Sequence, residues 1–166
     1  MAGFQLRLET DRDRDGIEEL LLAAFPTALE AHLVQMLRED DDVVYSLVAS
    51  ERTGVVGHAL FSRMPAPAGT LALGPVAVTA PRRRQGIAAA LIRAGLEHAK
   101  ADAWEAAIVL GDPSYYRRFG FSREAVRRMS CRYAGPNLMG LALTRTAFSG
   151  SHIEYAPAFT KVEDSP

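Results

Sequence analysis

With 166 residues, of which 48% are hydrophobic and 23% charged, and a net charge of -1, the chain is expected to form one domain over residues 1–166. A lone cysteine, Cys131, excludes a disulfide framework and a cysteine-based zinc cluster. No apolar run approaches the roughly 20 residues that span a bilayer, and the N-terminus lacks the apolar stretch of a signal peptide, so we expect a cytoplasmic protein.

The N-terminal part predicts one strand and two helices. Apolar residues alternate with polar ones over residues 4–8, which indicates a strand. Asp13 or Asp15 can cap a helix whose apolar residues recur on one face over residues 17–24. After a proline, a second helical pattern covers residues 29–37.

Three strand-like runs follow the two helices. They cover residues 43–49, 55–64 and 71–79, with turn signals at residues 53–54 and 65–69. Because links this short join antiparallel neighbours, we predict an antiparallel meander.

The middle of the chain predicts a crossover between two parallel strands. Apolar residues recur at three- and four-residue steps over residues 88–99, which indicates an amphipathic helix of about four turns. The apolar run at residues 106–110 then forms a strand parallel to the one at residues 71–79. Asp112 as N-cap and Pro113 at the first helical position predict a further short helix.

Apolar runs near the C-terminus complete the expected fold. Residues 129–133, 138–143 and 153–159 are interpreted as closing strands. We expect the core to cover about residues 4–160 and the tail at residues 161–166 to be loose. The fold class is therefore α+β, with helices flanking a largely antiparallel sheet that contains a parallel central pair.

Charge is segregated along the chain. Residues 1–80 carry 6 basic and 12 acidic side chains, whereas residues 81–132 carry 11 basic and 5 acidic ones. The basic segment favours binding of an anion there. The alternative is that the unlike segments neutralise each other across the folded surface.

The turn that opens the long helix has the features of a phosphate site. The first N–H groups of a helix lack intrahelical partners and favour an anion. Gly86 and Ala88 allow close approach to this backbone, and the three arginines at residues 82–84 add positive charge. The alternative is an ordinary helix start with solvated arginines. Neither a nucleotide P-loop nor the GxGxxG motif is present, which leaves other phosphorylated cofactors.

Two segments resemble the signatures of the GNAT family of N-acetyltransferases. RRRQGIA is similar to the family's Arg/Gln-x-x-Gly-x-Gly/Ala signature through Arg83, Gly86 and Ala88, and it too follows a strand and opens a helix. Further along, YYRRFGF resembles the second signature, a Tyr four residues before Gly-Phe. The resemblance covers roughly residues 4–125, and over this range the chain is similar to one branch of small bacterial GNAT proteins.

The resemblance implies that acetyl-CoA is a cosubstrate and that its acetyl group passes to a primary amine. In the family, the pyrophosphate lies against amides at the start of this helix, and the pantetheine arm pairs with the edge of the preceding strand, where two parallel strands splay apart. Gly74-Pro75 is expected to produce the local bulge, the alternative being a simple kink. The implied cofactor-binding residues are Val76, Ala77, Val78, Arg83, Arg84, Gln85, Gly86, Ile87, Ala88, Ala89, Asp112, Tyr116 and Phe119.

Attack of an amine on a thioester requires an N–H donor for the carbonyl oxygen, an acid for the sulfur and a base for the amine. Tyr116 matches the family's tyrosine and is the candidate acid, and the Val76 amide is the candidate donor. Tyr115 lies about 100° away on a helix, so the two tyrosines cannot both face the sulfur. A packed aromatic beneath the helix is the alternative for either tyrosine.

The base is not identified by any motif. Glu30 could point into an acceptor pocket and His58 lies mid-strand, but many relatives use a chain of water molecules instead. A solvated helix face for Glu30 and a hydrogen-bonded core position for His58 are the alternatives. The histidines show no metal-ligand spacing, so no metal is predicted. Cys131 lacks a recognisable catalytic partner, which favours direct attack in a ternary complex over an acetyl-enzyme.

The sequence leaves the acceptor open among small-molecule and peptide amines. The acidic run at residues 39–42 could attract a cationic amine, although such runs are usually solvated. Two other functions compete with acetyl transfer: a non-catalytic acyl-CoA sensor and a nucleic-acid module that uses the arginines. Because no aromatic residues interleave with those arginines, no nucleic-acid partner is expected, and no membrane partner either. Pairing as a homodimer through the C-terminal strands, as in many relatives, stays open.

Overall fold

Six strands form one mixed sheet in the computed structural model, which describes residues 3–165. They are β1 (Gln5–Leu8), β2 (Val43–Glu51), β3 (Gly54–Arg63), β4 (Thr70–Val78), β5 (Ala106–Leu110) and β6 (Leu138–Ala142). Strands adjacent in the chain are adjacent in the sheet, and each pair is antiparallel except β4 and β5. The predicted α+β class, the meander and the parallel central pair are confirmed.

Five α-helices in the described part of the chain flank the sheet. They are α1 (Arg14–Ala24), α2 (Leu29–Glu39), α3 (Ile87–Ala101), α4 (Pro113–Tyr116) and α5 (Pro157–Glu163). Asp112 caps α4 as predicted, because its carboxylate accepts a hydrogen bond from the Ser114 N–H at 2.9 Å. None of the helices within residues 3–165 has both the length and the apolar character needed to cross a bilayer.

The helices divide between the two faces of the sheet. Alternate residues of a strand point to opposite faces. Leu47 therefore packs in one core with the apolar face of α3, while Val48 packs in a second core with α1, α2 and α5. The sheet is thus covered on both faces.

The first helix is tied to β1 by a buried aspartate. Asp13 was predicted as a cap, and its carboxylate accepts hydrogen bonds from the Thr10 N–H at 2.7 Å and from two nitrogens of Arg7 at 2.6 and 2.9 Å. These bonds, chiefly those from Arg7, hold the pKa of Asp13 well below its usual range. The ionised carboxylate therefore joins the end of β1 to the turn that starts α1.

Two of the predicted closing strands are wrong. Residues 129–133 form no strand, and only an isolated bridge joins Ser130 to His152. In residues 153–159, Pro157 begins a helix instead, because proline has no N–H to contribute to a ladder and its fixed φ suits the first helical position. The prediction of a loose tail from residue 161 is also corrected, because α5 continues to Glu163 and Val162 is buried.

Close packing of α3 on the sheet requires a glycine. The aromatic ring of Phe61, on β3, lies directly against the backbone of Gly95, and a Cβ at position 95 would overlap the ring. Both residues are buried in the core beneath α3.

We expect Gly95→Ala to lower the free energy of unfolding by about 1–3 kcal/mol, because the cost of overpacking the core exceeds the gain in helix propensity. Urea unfolding followed by circular dichroism measures the change. Gly16→Ala in α1 is the matched control: its Cβ would lie 3.2 Å from a methyl group of the half-buried Val55, a much milder contact, so it should lower the free energy of unfolding less than Gly95→Ala does. A Gly95→Ala variant as stable as the parent protein would contradict this packing.

Candidate functional site

The sheet opens between its two parallel strands. β4 pairs with β5 only from Thr70 to Leu73, and among the described strands only β3 lies beside β4 from there to Val78. The pairing of β3 with β4 is irregular opposite Gly74-Pro75, where the sequence predicted a bulge. Two cavities meet at this opening, and Val76 contributes to the walls of both.

The first cavity, the cofactor groove, has a volume of about 570 Å³. It runs from the end of β4 across the start of α3 to α4. Its walls are formed by Val76, Ala77, Val78, Arg82, Arg83, Arg84, Gly86, Ile87, Ala88, Ala89, Tyr115 and Arg118.

Unpaired backbone amides lie at the start of α3 in this groove. Gly86 is the N-cap with φ of +82°, a left-handed conformation that glycine adopts without the cost a Cβ imposes. The first hydrogen bond of the helix runs from the Ala90 N–H to the Gly86 carbonyl at 3.0 Å. Among the described residues, the N–H groups of Ile87, Ala88 and Ala89 have no backbone partner. This turn presents positive partial charge and small side chains to an anion.

The arginines beside this turn differ in their contacts. Arg82 forms an ion pair with Glu51 and donates to Gln85 Oε1 at 2.7 Å, so part of its charge is neutralised. Arg83 donates through Nε to the Val78 carbonyl at 3.2 Å, which leaves the end of its guanidinium free to contact a ligand. Arg118 stacks over the ring of Tyr115 at 4.3 Å and closes the groove on the α4 side.

The second cavity, which we call the acceptor cavity after the role proposed for it below, has a volume of about 280 Å³. It lies on the other side of Val76, between the end of β4, α2 and α5. Its walls are formed by Phe25, Leu29, Glu30, Leu33, Leu73, Gly74, Pro75, Val76, Leu110, Tyr116, Tyr155 and Phe159.

The two adjacent tyrosines of α4 face different cavities. Tyr115 lines the cofactor groove and Tyr116 lines the acceptor cavity, with their rings edge to face at 5.1 Å. A Cβ at Gly111 would overlap the Tyr116 ring, so this glycine leaves room for it. Burial raises the pKa of Tyr116 to about 12. Its hydroxyl therefore keeps its proton at neutral pH and can donate it.

Three residues expected to bind the cofactor line neither cavity. Gln85 accepts the bond from Arg82 described above, and Asp112 is occupied in capping α4. Phe119 packs against Tyr116, with Arg93 over its ring at 5.2 Å.

The sequence placed Arg82 beside the phosphate turn without including it among the cofactor-binding residues. It did not indicate Arg118 as a groove residue or a cofactor role for Tyr115. Residues three apart on a helix lie side by side, so the spacing of Tyr115 and Arg118 was the available signal that these two side chains are in contact.

His58 lies within the sheet core, away from both cavities. It is fully buried, and its Nε2 lies 2.8 Å from Ser46 Oγ. Ser46 donates its proton to Glu9, which also accepts two hydrogen bonds from Arg38, so the neutral imidazole donates through Nε2–H. Burial lowers the pKa of His58 to about 4. This is the hydrogen-bonded core position that sequence analysis kept as the alternative to a base.

Within the described residues, no group of three or more histidine, cysteine or acidic side chains is close enough to hold a metal ion. Cys131 is a half-buried free thiol that lines neither cavity and accepts a hydrogen bond from the Tyr133 N–H.

Comparison with known proteins places the chain among acetyltransferases. The Acetyltransferase (GNAT) family model matches residues 14–121. The N-acetyltransferase YhbS of Escherichia coli strain K12 is 37% identical over 134 residues, which cover 78% of this chain and 80% of YhbS.

Two solved structures have closely similar folds. The crystal structure of YhbS from Escherichia coli in complex with CoA has a TM-score of 0.88 at 32% identity, with 96% of this chain and 93% of that chain covered. A GNAT family acetyltransferase from Brucella melitensis in complex with acetyl-CoA has a TM-score of 0.82 at 30% identity, with 96% and 99% covered.

The neutral, buried His58 predicts a specific pH dependence of stability. The unfolded chain takes up a proton near the ordinary histidine pKa of about 6.5, whereas the folded protein resists protonation down to about 4. Stability is therefore lost as the pH falls from about 6.5 to about 4. We expect protonation of this residue to lower the free energy of unfolding by about 2 kcal/mol between pH 7.5 and pH 5.

Urea unfolding at the two pH values, compared between the parent protein and His58→Gln, isolates this contribution. The variant should lose that part of the pH dependence, and His32→Gln, which changes an exposed histidine, should retain it. An identical pH dependence in the parent protein and His58→Gln would contradict the assignment of a neutral native imidazole.

Proposed function

The chain belongs to the GNAT family of acetyltransferases, and on this premise we propose that it transfers the acetyl group of acetyl-CoA to a primary amine by direct attack. The observation that carries the proposal is the meeting of two cavities at Val76. One presents unpaired amides to phosphate, and the other holds a carboxylate and a neutral tyrosine hydroxyl. Both substrates can be bound at once in such a site, which supports a ternary complex.

The groove is suited to the pyrophosphate and the pantetheine arm of CoA. The amides of Ile87, Ala88 and Ala89 are proposed to donate to the pyrophosphate oxygens, with Arg83 and Arg84 adding positive charge. Within residues 3–165, no strand lies beside the edge of β4 beyond Leu73 on the β5 side, so an extended arm can pair with it. This arrangement would bring the thioester to the junction at Val76.

Two groups at this junction are proposed to act on the reacting atoms. The Val76 N–H stabilises the negative charge that develops on the carbonyl oxygen. Tyr116 donates its proton to the departing sulfur, which its raised pKa allows because the hydroxyl stays protonated until the thiolate forms.

Bonds and protons balance in the proposed step. The amine nitrogen forms a bond to the carbonyl carbon while the carbon–sulfur bond breaks. An alkylammonium first gives one proton to a base, for which Glu30 is the candidate in the acceptor cavity, because only the free amine can attack. The nitrogen loses a second proton after attack, and that proton restores Tyr116. The products are an amide, a thiol and one released proton.

We expect Ala88→Asp to weaken CoA binding at least about tenfold, equivalent to about 1.4 kcal/mol, because the carboxylate repels the pyrophosphate. An acidic residue in the first turn stabilises a helix, so the fold should not suffer. Ala88→Asn is the control of the same size without the charge and should bind CoA more tightly than Ala88→Asp. Isothermal titration calorimetry with CoA measures the dissociation constants of both variants. Equal affinities of the two variants would contradict the proposed position of the pyrophosphate.

We expect Tyr116→Phe to lower the single-turnover rate of acetyl transfer by about 10²-fold or more, because the departing thiolate loses its proton donor. CoA affinity should change little, since Tyr116 lines the acceptor cavity. Tyr115→Phe keeps the ring under Arg118 and should retain most of the rate.

These rates are measured as thiol release after acetyl-CoA and amine are mixed with protein in excess over acetyl-CoA. An unchanged rate in Tyr116→Phe would contradict its role as the acid. CoA binding without thiol release from any amine would instead support the non-catalytic sensor.

A further inference from the structure

The acceptor cavity has one charged group in an otherwise apolar wall. Glu30 is the single acidic residue among the residues that line it, and no lysine, arginine or histidine contributes to the described walls. The hydroxyl groups of Tyr116 and Tyr155 add the remaining side-chain polarity. The apolar wall is formed by Phe25, Leu29, Leu33, Leu73, Pro75, Val76, Leu110 and Phe159.

The carboxylate of Glu30 lacks a partner. Its Oε2 is buried without a hydrogen bond from any residue within 3–165, and no ion pair involves this side chain. By contrast, Glu39 at the other end of α2 is exposed and accepts a hydrogen bond from Gln35 at 3.1 Å. Glu30 is half-buried as a residue, but a buried carboxylate oxygen without a hydrogen bond is unfavourable, and a bound cation with N–H groups lowers that cost.

We propose that the acceptor is a compact primary amine with a single positive charge and an apolar body, bound through an ion pair with Glu30. The inference rests on the proposed acetyl transfer, whose acceptor it specifies. The cavity volume of about 280 Å³ lies at the small end of the range for ligand sites, which favours a compact body. Aromatic and leucine side chains surround that body.

The same wall discriminates against other classes of amine. A polyamine or an aminoglycoside brings several positive charges, and only one carboxylate is available to pair with them. An α-amino acid brings a carboxylate, which would be buried without a cation beside it and close to Glu30. The structure therefore favours the decarboxylated amine over the amino acid from which it derives.

A panel of matched amines tests this specificity. The probes are 2-phenylethylamine, tyramine, phenylalanine, tyrosine, spermidine and kanamycin, each mixed with acetyl-CoA while thiol release is followed. We expect kcat/KM for 2-phenylethylamine to exceed that for phenylalanine, spermidine and kanamycin by at least about tenfold, because each of these places an unpaired charge in the cavity.

Variants separate the ion pair from the packing. Glu30→Gln should raise KM for 2-phenylethylamine at least about tenfold, in addition to the fall in kcat that loss of the candidate base causes. It should leave inhibition by the uncharged 2-phenylethanol within about twofold, because the apolar wall is unchanged. Glu39→Gln, on the same helix and outside the acceptor cavity, should leave both values unchanged.

Calorimetry with CoA-saturated protein provides a measurement that does not depend on turnover. Binding of 2-phenylethylamine should be stronger than that of 2-phenylethanol in the parent protein, and Glu30→Gln should abolish the difference. Equal binding of the two probes by the parent protein overturns the inference. A kcat/KM for spermidine or phenylalanine that exceeds that for 2-phenylethylamine also overturns it. Neither result contradicts acetyl transfer itself. Thiol release from no amine, with CoA bound, overturns the proposed function instead.

Discussion

The proposed binding of CoA depends on backbone amides without partners in the first turn of α3. The left-handed conformation of Gly86 ends the preceding loop, and the helix then starts with three N–H groups that have no backbone partner within the described residues and that belong to residues lining the cofactor groove. Such amides cannot be satisfied within the helix, so they bind solvent or an anion. Close packing of Gly95 on Phe61 fixes where α3 lies on the sheet, and hence where this first turn is placed.

The second constraint is the end of pairing between β4 and β5. Because these strands pair only as far as Leu73, the chain beyond it lines two cavities at once, and Val76 belongs to both. The adjacent residues Tyr115 and Tyr116 then divide between the cavities, since neighbouring positions on a helix point in different directions. One short helix can therefore contribute to the binding of two substrates.

Sequence alone predicts those parts of the protein in which local pattern determines structure. The meander, α3 and the capped α4 follow from periodicity, turns and Asp112. The strand at residues 138–143 was predicted correctly and is β6, but residues 129–133 and 153–159 were mispredicted. Their apolar residues pack as irregular chain and as the start of α5, which periodicity over short runs cannot distinguish from strands. Arg118 stacks on Tyr115 at a local three-residue spacing, but its position across the groove from the start of α3 depends on how distant segments pack. The same is true of the unpaired carboxylate oxygen of Glu30, and no local pattern encodes either feature.

A crystal structure of the protein with CoA tests the central claim most directly. The account predicts pyrophosphate oxygens within hydrogen-bond distance, about 2.7–3.2 Å, of the amides of Ile87, Ala88 and Ala89, with the sulfur beside Val76. Pyrophosphate bound elsewhere on the protein, with those amides in contact with solvent alone, would contradict it.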